Sequence, residues 1–282
     1  MSNSKTALIL SYYFPPMGLG GVQRVQKFVK YLPQFGWRPI VVTVKDVQYY
    51  GRDESLLREL PPEALVYRTG SSDPLRMAYR LGLQPRDGKA GDGSRSLARW
   101  LLFPDNQIAW VPFAVRCARD IIREHQVDAL FSSFPPASAH VAGHILHRST
   151  GIPWVADFRD SWLGGEFNRP ASDFHRDMMQ RLGRKLTRRA NHITTVTDHI
   201  AGQLADLRGD GANISVITNG YDPEDFEGLE QPPSDGRFTV TYCGALNDAR
   251  HPEPLFRGLR RMLEKWPLLS EKIKIKLIGA SI

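Results

Sequence analysis

The chain has 282 residues, of which 41% are hydrophobic and 24% charged, and these proportions are typical of a globular protein with one large domain or two small ones. No run approaches the roughly 18 apolar residues that span a bilayer, and residues 1–20 lack a signal-peptide pattern, so the sequence predicts a cytoplasmic protein. The net charge of +7 favours acidic partners such as nucleotide phosphates or anionic lipid. Zinc-finger and RNA-recognition patterns are absent, so neither a nucleic-acid partner nor a metal site is predicted.

From the N-terminus, short apolar runs alternate with segments of helical spacing. The runs are apolar on both faces, as buried parallel strands are, which predicts an α/β protein with a Rossmann-like, doubly wound parallel sheet. In such sheets ligands bind beyond the carboxyl ends of the strands. The predicted strands are Ala7–Leu10, Ile40–Val44, Ala64–Tyr67, Ala129–Ser132, Trp154–Asp157, His192–Val196 and Ile214–Ile217. The predicted helices are Val22–Leu32, Asp73–Leu81, Trp110–His125, Ala137–Ser149, Phe174–Ala190 and Asp198–Leu207.

The segment between the first strand and the first helix is rich in glycine. Because the first turn of a helix has unpaired N–H groups and a partial positive charge, a phosphate can bind there. Gly20 and Gly21 lack a Cβ atom, so they allow a ligand close to the backbone. Arg24, one turn further on, could reach the same phosphate or lie on a solvated helix face. An ordinary strand–helix turn is the alternative interpretation of the whole segment.

The C-terminal part of the chain has a different organisation. Residues 1–218 form a predicted N-terminal Rossmann-like domain, and residues 219–236 are dense in turn formers, which predicts a linker. Residues 237–282 then begin a new β-α-β unit. Two parallel strands and one helix cannot bury a sizeable core. We therefore expect the start of a longer second domain, and a truncated chain.

Four stretches of the sequence, taken in order, resemble glycosyltransferase family 4. They are FPPMGLGGVQR with the following KYLPQFGWRPIVVTV, then SSFPPASAH, then PWVADFRDSW, and finally ISVITNGYDPEDF followed by VTYCGALNDARHPEPLF. The resemblance covers nearly all of the chain. It implies the GT-B fold, in which two Rossmann-like domains face each other across a cleft.

The activity that the resemblance implies is the transfer of a sugar, of hexosyltransferase type and with retention, from a nucleotide-diphosphate sugar to an acceptor. The acceptor would be a carbohydrate or a lipid-linked precursor, as in polysaccharide biosynthesis, and no metal or other cofactor is expected. Because part of the donor-binding domain would be missing, we expect little turnover from this chain alone.

The leaving diphosphate gains negative charge as the glycosidic bond breaks, so the protein must offer N–H donors and fixed positive charge there. Gly20 and Gly21 suit this role in the N-terminal domain. In the second domain, the resemblance assigns it to the turn that contains Gly244 and Arg250. The family often has an arginine directly after this glycine, whereas this chain has Ala245. The assignment of Arg250 therefore rests on position alone, and an exposed loop arginine is the alternative.

Asp157 ends the predicted strand Trp154–Asp157, and Arg159 and Asp160 follow it. Polar residues at this end of an open α/β sheet usually belong to a site. Many family members have a histidine near this point that contacts the transferred sugar, and Arg159 aligns approximately with it. Asp157 or Asp160 could orient an acceptor hydroxyl or act as a base, or an Asp–Arg pair could hold the strand–loop junction. His140 lies in the first turn of the helix that follows the SSFPPAS loop, where it could bond to sugar or acceptor, or lie on the helix surface.

Two interactions beyond the site are also hypotheses from sequence. The predicted helix Phe174–Ala190 carries six basic residues beside an apolar face, which suits peripheral contact with the anionic inner face of a membrane. A core-packed helix with a solvated basic face is the alternative. An unpaired edge strand at Ile273–Ile278 would favour a homo-oligomer.

Two other functions compete with sugar transfer. A nicotinamide-dependent oxidoreductase is suggested by Gly18-x-Gly20 and by Asp46 after the second strand, but Gln23 replaces the third glycine of the dinucleotide fingerprint. A non-catalytic module that binds acceptor or phosphate is suggested by residues 237–282, which lack the family's Glu-x7-Glu motif.

Overall fold

The computed structural model describes residues 4–18, 20–47, 51–82, 102–164, 170–230, 235–244, 246 and 251–279. The chain divides into two compact units, Met1–Tyr221 and Asp222–Ile282. Each unit contains its own parallel sheet.

The first unit alternates strands with helices, as the sequence predicts, and the predicted α/β class is confirmed. Its strands are β1 Lys5–Leu10, β2 Trp37–Val44, β3 Leu65–Thr69, β4 Ala129–Phe134, β5 Trp154–Phe158, β6 His192–Thr195 and β7 Ile214–Val216. Its helices are α1 Gly20–Tyr31, α2 Ser55–Arg58, α3 Pro74–Arg80, α4 Val111–Glu124, α5 Ala137–Thr150, α6 Asp173–Arg189 and α7 Asp198–Arg208. The single turn α2 is too short to show a helical period, and the sequence does not predict it.

The seven strands are parallel in the order β3-β2-β1-β4-β5-β6-β7. The chain winds outward from β1 to one edge, then returns to β4 and winds to the other edge. The strand order therefore reverses between β1 and β4. Open α/β sheets bind ligands at this switch point, outside the carboxyl ends of the strands.

Alternate residues of the central strands pack against opposite layers of helices. On one face, Ile9 and Val41 pack with Val25 and Val29 of α1. On the other face, Leu8 and its neighbours belong to a larger cluster that includes residues of α4, α5 and α6. Because side chains of a strand alternate between faces, this division follows from strand periodicity. It places α1 on the sheet face that also carries the odd-numbered residues of β5.

The basic helix expected from the sequence is α6. Its buried residues are His175, Met179, Gly183, Leu186 and Thr187. Its exposed basic residues are Arg176, Arg181, Arg184, Lys185, Arg188 and Arg189. The helix is therefore packed into the protein with its basic face in solvent, and contact with an anionic membrane stays a prediction. Among the described residues, no helix has the length and apolar character needed to cross a bilayer.

Helix α6 packs closely on the loop that follows β5. The indole Nε1 of Trp162 donates to the carbonyl oxygen of Met179 at 2.8 Å. At Gly183, one turn further along α6, a Cβ atom would collide with Trp162 and with Leu207 of α7. The absence of a side chain at Gly183 therefore leaves room for the Trp162 indole against α6.

We predict that Gly183→Ala destabilises the chain by about 1–3 kcal/mol, because the added methyl group overpacks a buried contact. Gly202→Ala in α7 is the matched control, since nothing lies within 4 Å of its Cβ position. This control should be neutral or should stabilise by up to about 1 kcal/mol, the difference in helix propensity. Urea denaturation of the two variants measures both effects, and equal free energies of unfolding would contradict the packing account.

His144 of α5 is a buried histidine at the boundary with α6. It is 6% exposed, and neither ring nitrogen has a hydrogen-bond partner among the described residues. Burial lowers its pKa from 6.5 to about 4, and the positive charges of Lys185, Arg148, His147 and Arg189 act in the same direction. The folded protein therefore holds this imidazole uncharged at neutral pH.

This pKa shift makes stability depend on pH. Between pH 6.5 and pH 4, the unfolded chain binds a proton at His144 that the folded chain does not, so the free energy of unfolding falls on acidification. We predict that His144→Leu loses about 1–2 kcal/mol less than the wild type between pH 7 and pH 5. Urea denaturation at the two pH values checks this, and an unchanged loss in the variant would contradict it.

The second unit is small. Its parallel strands β8 Phe238–Cys243 and β9 Ile273–Ile278 are joined through helix α8 Glu253–Lys265. These three elements contain no buried residue. The β-α-β unit expected from the sequence is therefore present, with little core of its own. The expectations of a longer domain and of self-association through β9 stay predictions.

Candidate functional site

The site lies at the switch point of the first unit, where α1 begins beside the end of β5. Gly20 is the first residue of α1, and Gly21 lies directly against the side chain of Arg159. A Cβ atom at Gly21 would be 3.1 Å from Arg159 Nη1. The backbone at the start of α1, where N–H groups lack intrahelical partners, thus meets a guanidinium group. Two predicted anion-binding features and one predicted catalytic residue are brought together here.

Arg159 is a buried cation with unused donor capacity. Its residue is 9% exposed, its Nε donates to the carbonyl oxygen of Phe134 at 3.2 Å, and its Nη2 donates to that of Pro135 at 2.5 Å. Nη1 is buried and has no hydrogen-bond partner among the described residues. Burial lowers the pKa of the guanidinium, whereas the charges of Asp157 and Asp160 oppose this shift. Because arginine stays protonated in proteins, the group remains a cation.

Asp157 lies in β5, two residues before Arg159, and its side chain faces α1. Its carboxylate is fully buried and accepts hydrogen bonds from Arg24 Nη2 at 2.9 Å, Ser133 Oγ at 2.8 Å and Thr194 Oγ1 at 2.8 Å. Arg24 Nε lies 3.2 Å from both carboxylate oxygens. The carboxylate is therefore occupied by protein donors, which suits a structural anion and not a base. The Asp–Arg pair that the sequence offered as the structural alternative is present, but the arginine that pairs with Asp157 is Arg24.

Arg24 extends across the sheet edge and does not reach into solvent. Its side chain is 6% exposed, and Nη1 donates to the carbonyl oxygen of Ile217 at 2.8 Å and to Asn219 Oδ1 at 3.2 Å. Its guanidinium carbon also lies 4.8 Å from the ring centroid of Phe28, within the range of a cation–π contact. The interpretation of Arg24 as part of a solvated helix face is wrong. Each of its three guanidinium nitrogens already has a protein acceptor.

His140 lies inside the core, close to Arg159. It is fully buried, its Nδ1 is 2.7 Å from Ser132 Oγ, and its ring centroid is 4.5 Å from that of Phe158. Burial, with a contribution from Arg159, lowers its pKa to about 3, so it is uncharged at neutral pH. Its Nε2 has no hydrogen-bond partner among the described residues. The interpretation of His140 as a helix-surface residue is wrong.

The remaining predicted site residues have different positions. Asp160 follows Arg159 and is partly exposed, unlike the buried Asp157. Gly244 directly follows β8 in the second unit, with φ of 155°, and its N–H donates to the carbonyl oxygen of Ile278 at 2.8 Å. Arg250 lies outside the described residues.

The sequence interpretation missed two residues that hold the site. Ser133 and Thr194 flank Asp157 directly in the sheet register. They are hydroxyl residues near the carboxyl ends of β4 and β6, and this position in a parallel sheet is the sequence signal that could have identified them. Their partner could not be identified in this way, because it depends on strand order.

Comparison with protein families identifies the first unit. A model of Glycosyltransferase Family 4 matches residues 19–225, which is more than half of the chain. Comparison with curated protein sequences finds no match.

Several solved GT-B glycosyltransferases have a similar fold. Sucrose-phosphate synthase from Thermosynechococcus elongatus aligns with a TM-score of 0.56 and 10% identity over 99% of this chain and 71% of that one. UGT2 from Phytolacca americana, in complex with UDP-2fluoro-glucose and pterostilbene, aligns with a TM-score of 0.55 and 13% identity over 98% and 72%. HepE from Anabaena, in complex with UDP and glucose, aligns with a TM-score of 0.51 and 14% identity over 98% of this chain and 70% of that one. At these identities the likeness shows the fold alone.

Proposed function

This chain belongs to glycosyltransferase family 4, a family of sugar-transferring enzymes, and from this premise we propose that Gly21 and Arg159 bind the diphosphate of a nucleotide-sugar donor. The transfer retains the configuration at the anomeric carbon, and the acceptor is a carbohydrate or a lipid-linked precursor. The ligands of the solved UGT2 and HepE complexes support a nucleotide sugar as the donor class.

The observation that carries the proposal is the unused Nη1 of Arg159 at the start of α1. A buried donor without an acceptor costs about 1–3 kcal/mol, and more when it is charged. An anion that accepts hydrogen bonds from this guanidinium and from the first turn of α1 would remove that cost. It would also interact favourably with the positive end of the α1 dipole. The ligand that fits is therefore anionic and compact, as a phosphate group is.

The same geometry suits the departure of the diphosphate. As the bond between the anomeric carbon and the diphosphate oxygen breaks, its electron pair stays on that oxygen and the negative charge there grows. A fixed guanidinium and fixed N–H groups stabilise this developing charge more than they stabilise the intact donor. Both groups are already in place, so no reorganisation energy is lost when the transition state forms.

The acidic residues have separate roles in this proposal. Asp157 is engaged by Arg24, Ser133 and Thr194, so it is not assigned a proton-transfer role. Asp160 is the partly exposed acid next to Arg159, and we assign to it the orientation of the acceptor hydroxyl. His140 is uncharged and supports the aromatic layer behind Arg159. Membership of the family argues against the oxidoreductase alternative.

We predict that the wild-type chain binds inorganic pyrophosphate and that Arg159→Gln weakens this binding by about 10- to 100-fold. A hydrogen bond to a charged group contributes about 1.5–3 kcal/mol, which corresponds to this range. Isothermal titration calorimetry at low ionic strength measures the affinity. Arg119→Gln on the exposed side of α4 is the control for lost positive charge and should bind within about twofold of the wild type.

Circular dichroism and thermal melts of both variants establish that they are folded. Two results would contradict the proposal. One is a wild-type chain that does not bind pyrophosphate, and the other is a folded Arg159→Gln variant with wild-type affinity.

A further inference from the structure

We propose that the ion pair between Arg24 and Asp157 is the positioning element of this anion site. It sets the position of α1 along β5, and thereby holds the backbone of Gly21 beside Arg159 Nη1. Neither member of the pair contacts the ligand. This inference rests on the proposed function, because the site that it positions is the diphosphate site.

The first argument is the match between two pairs of contacts. Asp157 lies in β5 and Arg159 directly follows that strand, so both side chains belong to the same carboxyl end of the sheet. Gly21 and Arg24 are three residues apart in α1, so they lie on the same side of the helix. Arg24 meets Asp157 and Gly21 meets Arg159. A shift of α1 along β5 would break the first contact and separate the second pair.

The second argument is the rigidity of the anchor. The Asp157 carboxylate is bonded to Ser133 of β4 on one side and to Thr194 of β6 on the other. The carboxylate is therefore fixed relative to three adjacent strands, and Arg24 attaches α1 to that fixed point through Nε and Nη2. Hydrogen bonds to a shared, immobile acceptor position a helix more firmly than apolar contacts, which tolerate sliding.

The third argument is that every guanidinium nitrogen of Arg24 is hydrogen-bonded to the protein. Nη1 bonds to the carbonyl oxygen of Ile217 and to Asn219, in the segment that follows β7. Arg159, in contrast, retains an unused Nη1. The two buried arginines at this sheet edge therefore have different roles: Arg159 is oriented for a ligand, and Arg24 orients the backbone that meets the same ligand.

The test distinguishes a loss of positioning from a loss of folding and from a change in net charge, each of which could weaken pyrophosphate binding. Arg24→Met alone would leave a buried, unpaired carboxylate, which destabilises the fold. The double variant Arg24→Met with Asp157→Asn removes both charges, keeps an amide that can bond to Ser133 and Thr194, and leaves the net charge unchanged. Lys27→Met, also on α1, is the control, since it removes one ion-pair partner of the half-buried Glu59 and lies six residues, nearly two helical turns, from Gly21.

Pyrophosphate affinity of the full chain, by isothermal titration calorimetry, and thermal melts are measured for all variants. We expect the double variant to regain most of the melting temperature that Arg24→Met loses. It should still bind pyrophosphate about tenfold more weakly than the wild type, because displacement of a binding group by about 1 Å has effects of this size or larger. Lys27→Met should bind within about twofold of the wild type.

Arg24→Lys is the second variant, for the case that the double variant does not fold. A lysine keeps the charge beside Asp157 but cannot make the forked contacts to Asp157 and Ile217, so we expect pyrophosphate binding about threefold weaker in a folded protein. Wild-type affinity in the folded double variant, or in Arg24→Lys when the double variant is unfolded, would overturn the positioning role while leaving the diphosphate site intact. A wild-type chain that does not bind pyrophosphate would overturn both.

Discussion

A buried carboxylate at the end of β5 is the constraint on which the rest of the first unit depends. Asp157 is fully buried, and an unpaired charge in that position would cost several kcal/mol. Arg24 supplies the compensating charge from α1, and small hydroxyl side chains on β4 and β6 supply the remaining hydrogen bonds. The helix that follows the glycine-rich loop is therefore attached to the sheet by a specific polar contact and not by apolar packing alone.

The two arginines near this carboxylate show how one residue type serves two purposes. Every guanidinium nitrogen of Arg24 has a protein acceptor, so its contribution is to structure. Arg159 bonds to two carbonyl oxygens through Nε and Nη2, which fixes its plane, and leaves Nη1 beside Gly21. A fixed cation with an unused donor at a helix N-terminus is an arrangement that binds phosphate groups. Because the chain belongs to a sugar-transferring family, the diphosphate of the donor is the ligand that we propose for this arrangement.

The sequence predicts much of this fold but only part of the site. Alternating apolar runs and helical spacing predict the parallel sheet, and glycines after β1 predict the close backbone approach at Gly21. The sequence does not predict the partner of Asp157, because Arg24 is 133 residues away and is brought close only by the strand order. Burial of His140 also depends on how α5 packs against aromatic side chains of neighbouring strands. Local patterns carry no information on either contact, and the sequence interpretation placed both side chains on helix surfaces as an alternative.

We propose that a diphosphate binds at the start of α1, beside Arg159. A crystal structure of the chain with UDP tests it most directly. We expect one diphosphate oxygen to accept hydrogen bonds from the Gly21 N–H and from Arg159 Nη1, with the Arg24–Asp157 pair unchanged. A diphosphate bound elsewhere on the first unit, with Arg159 Nη1 bonded to a protein carbonyl oxygen, would contradict the account.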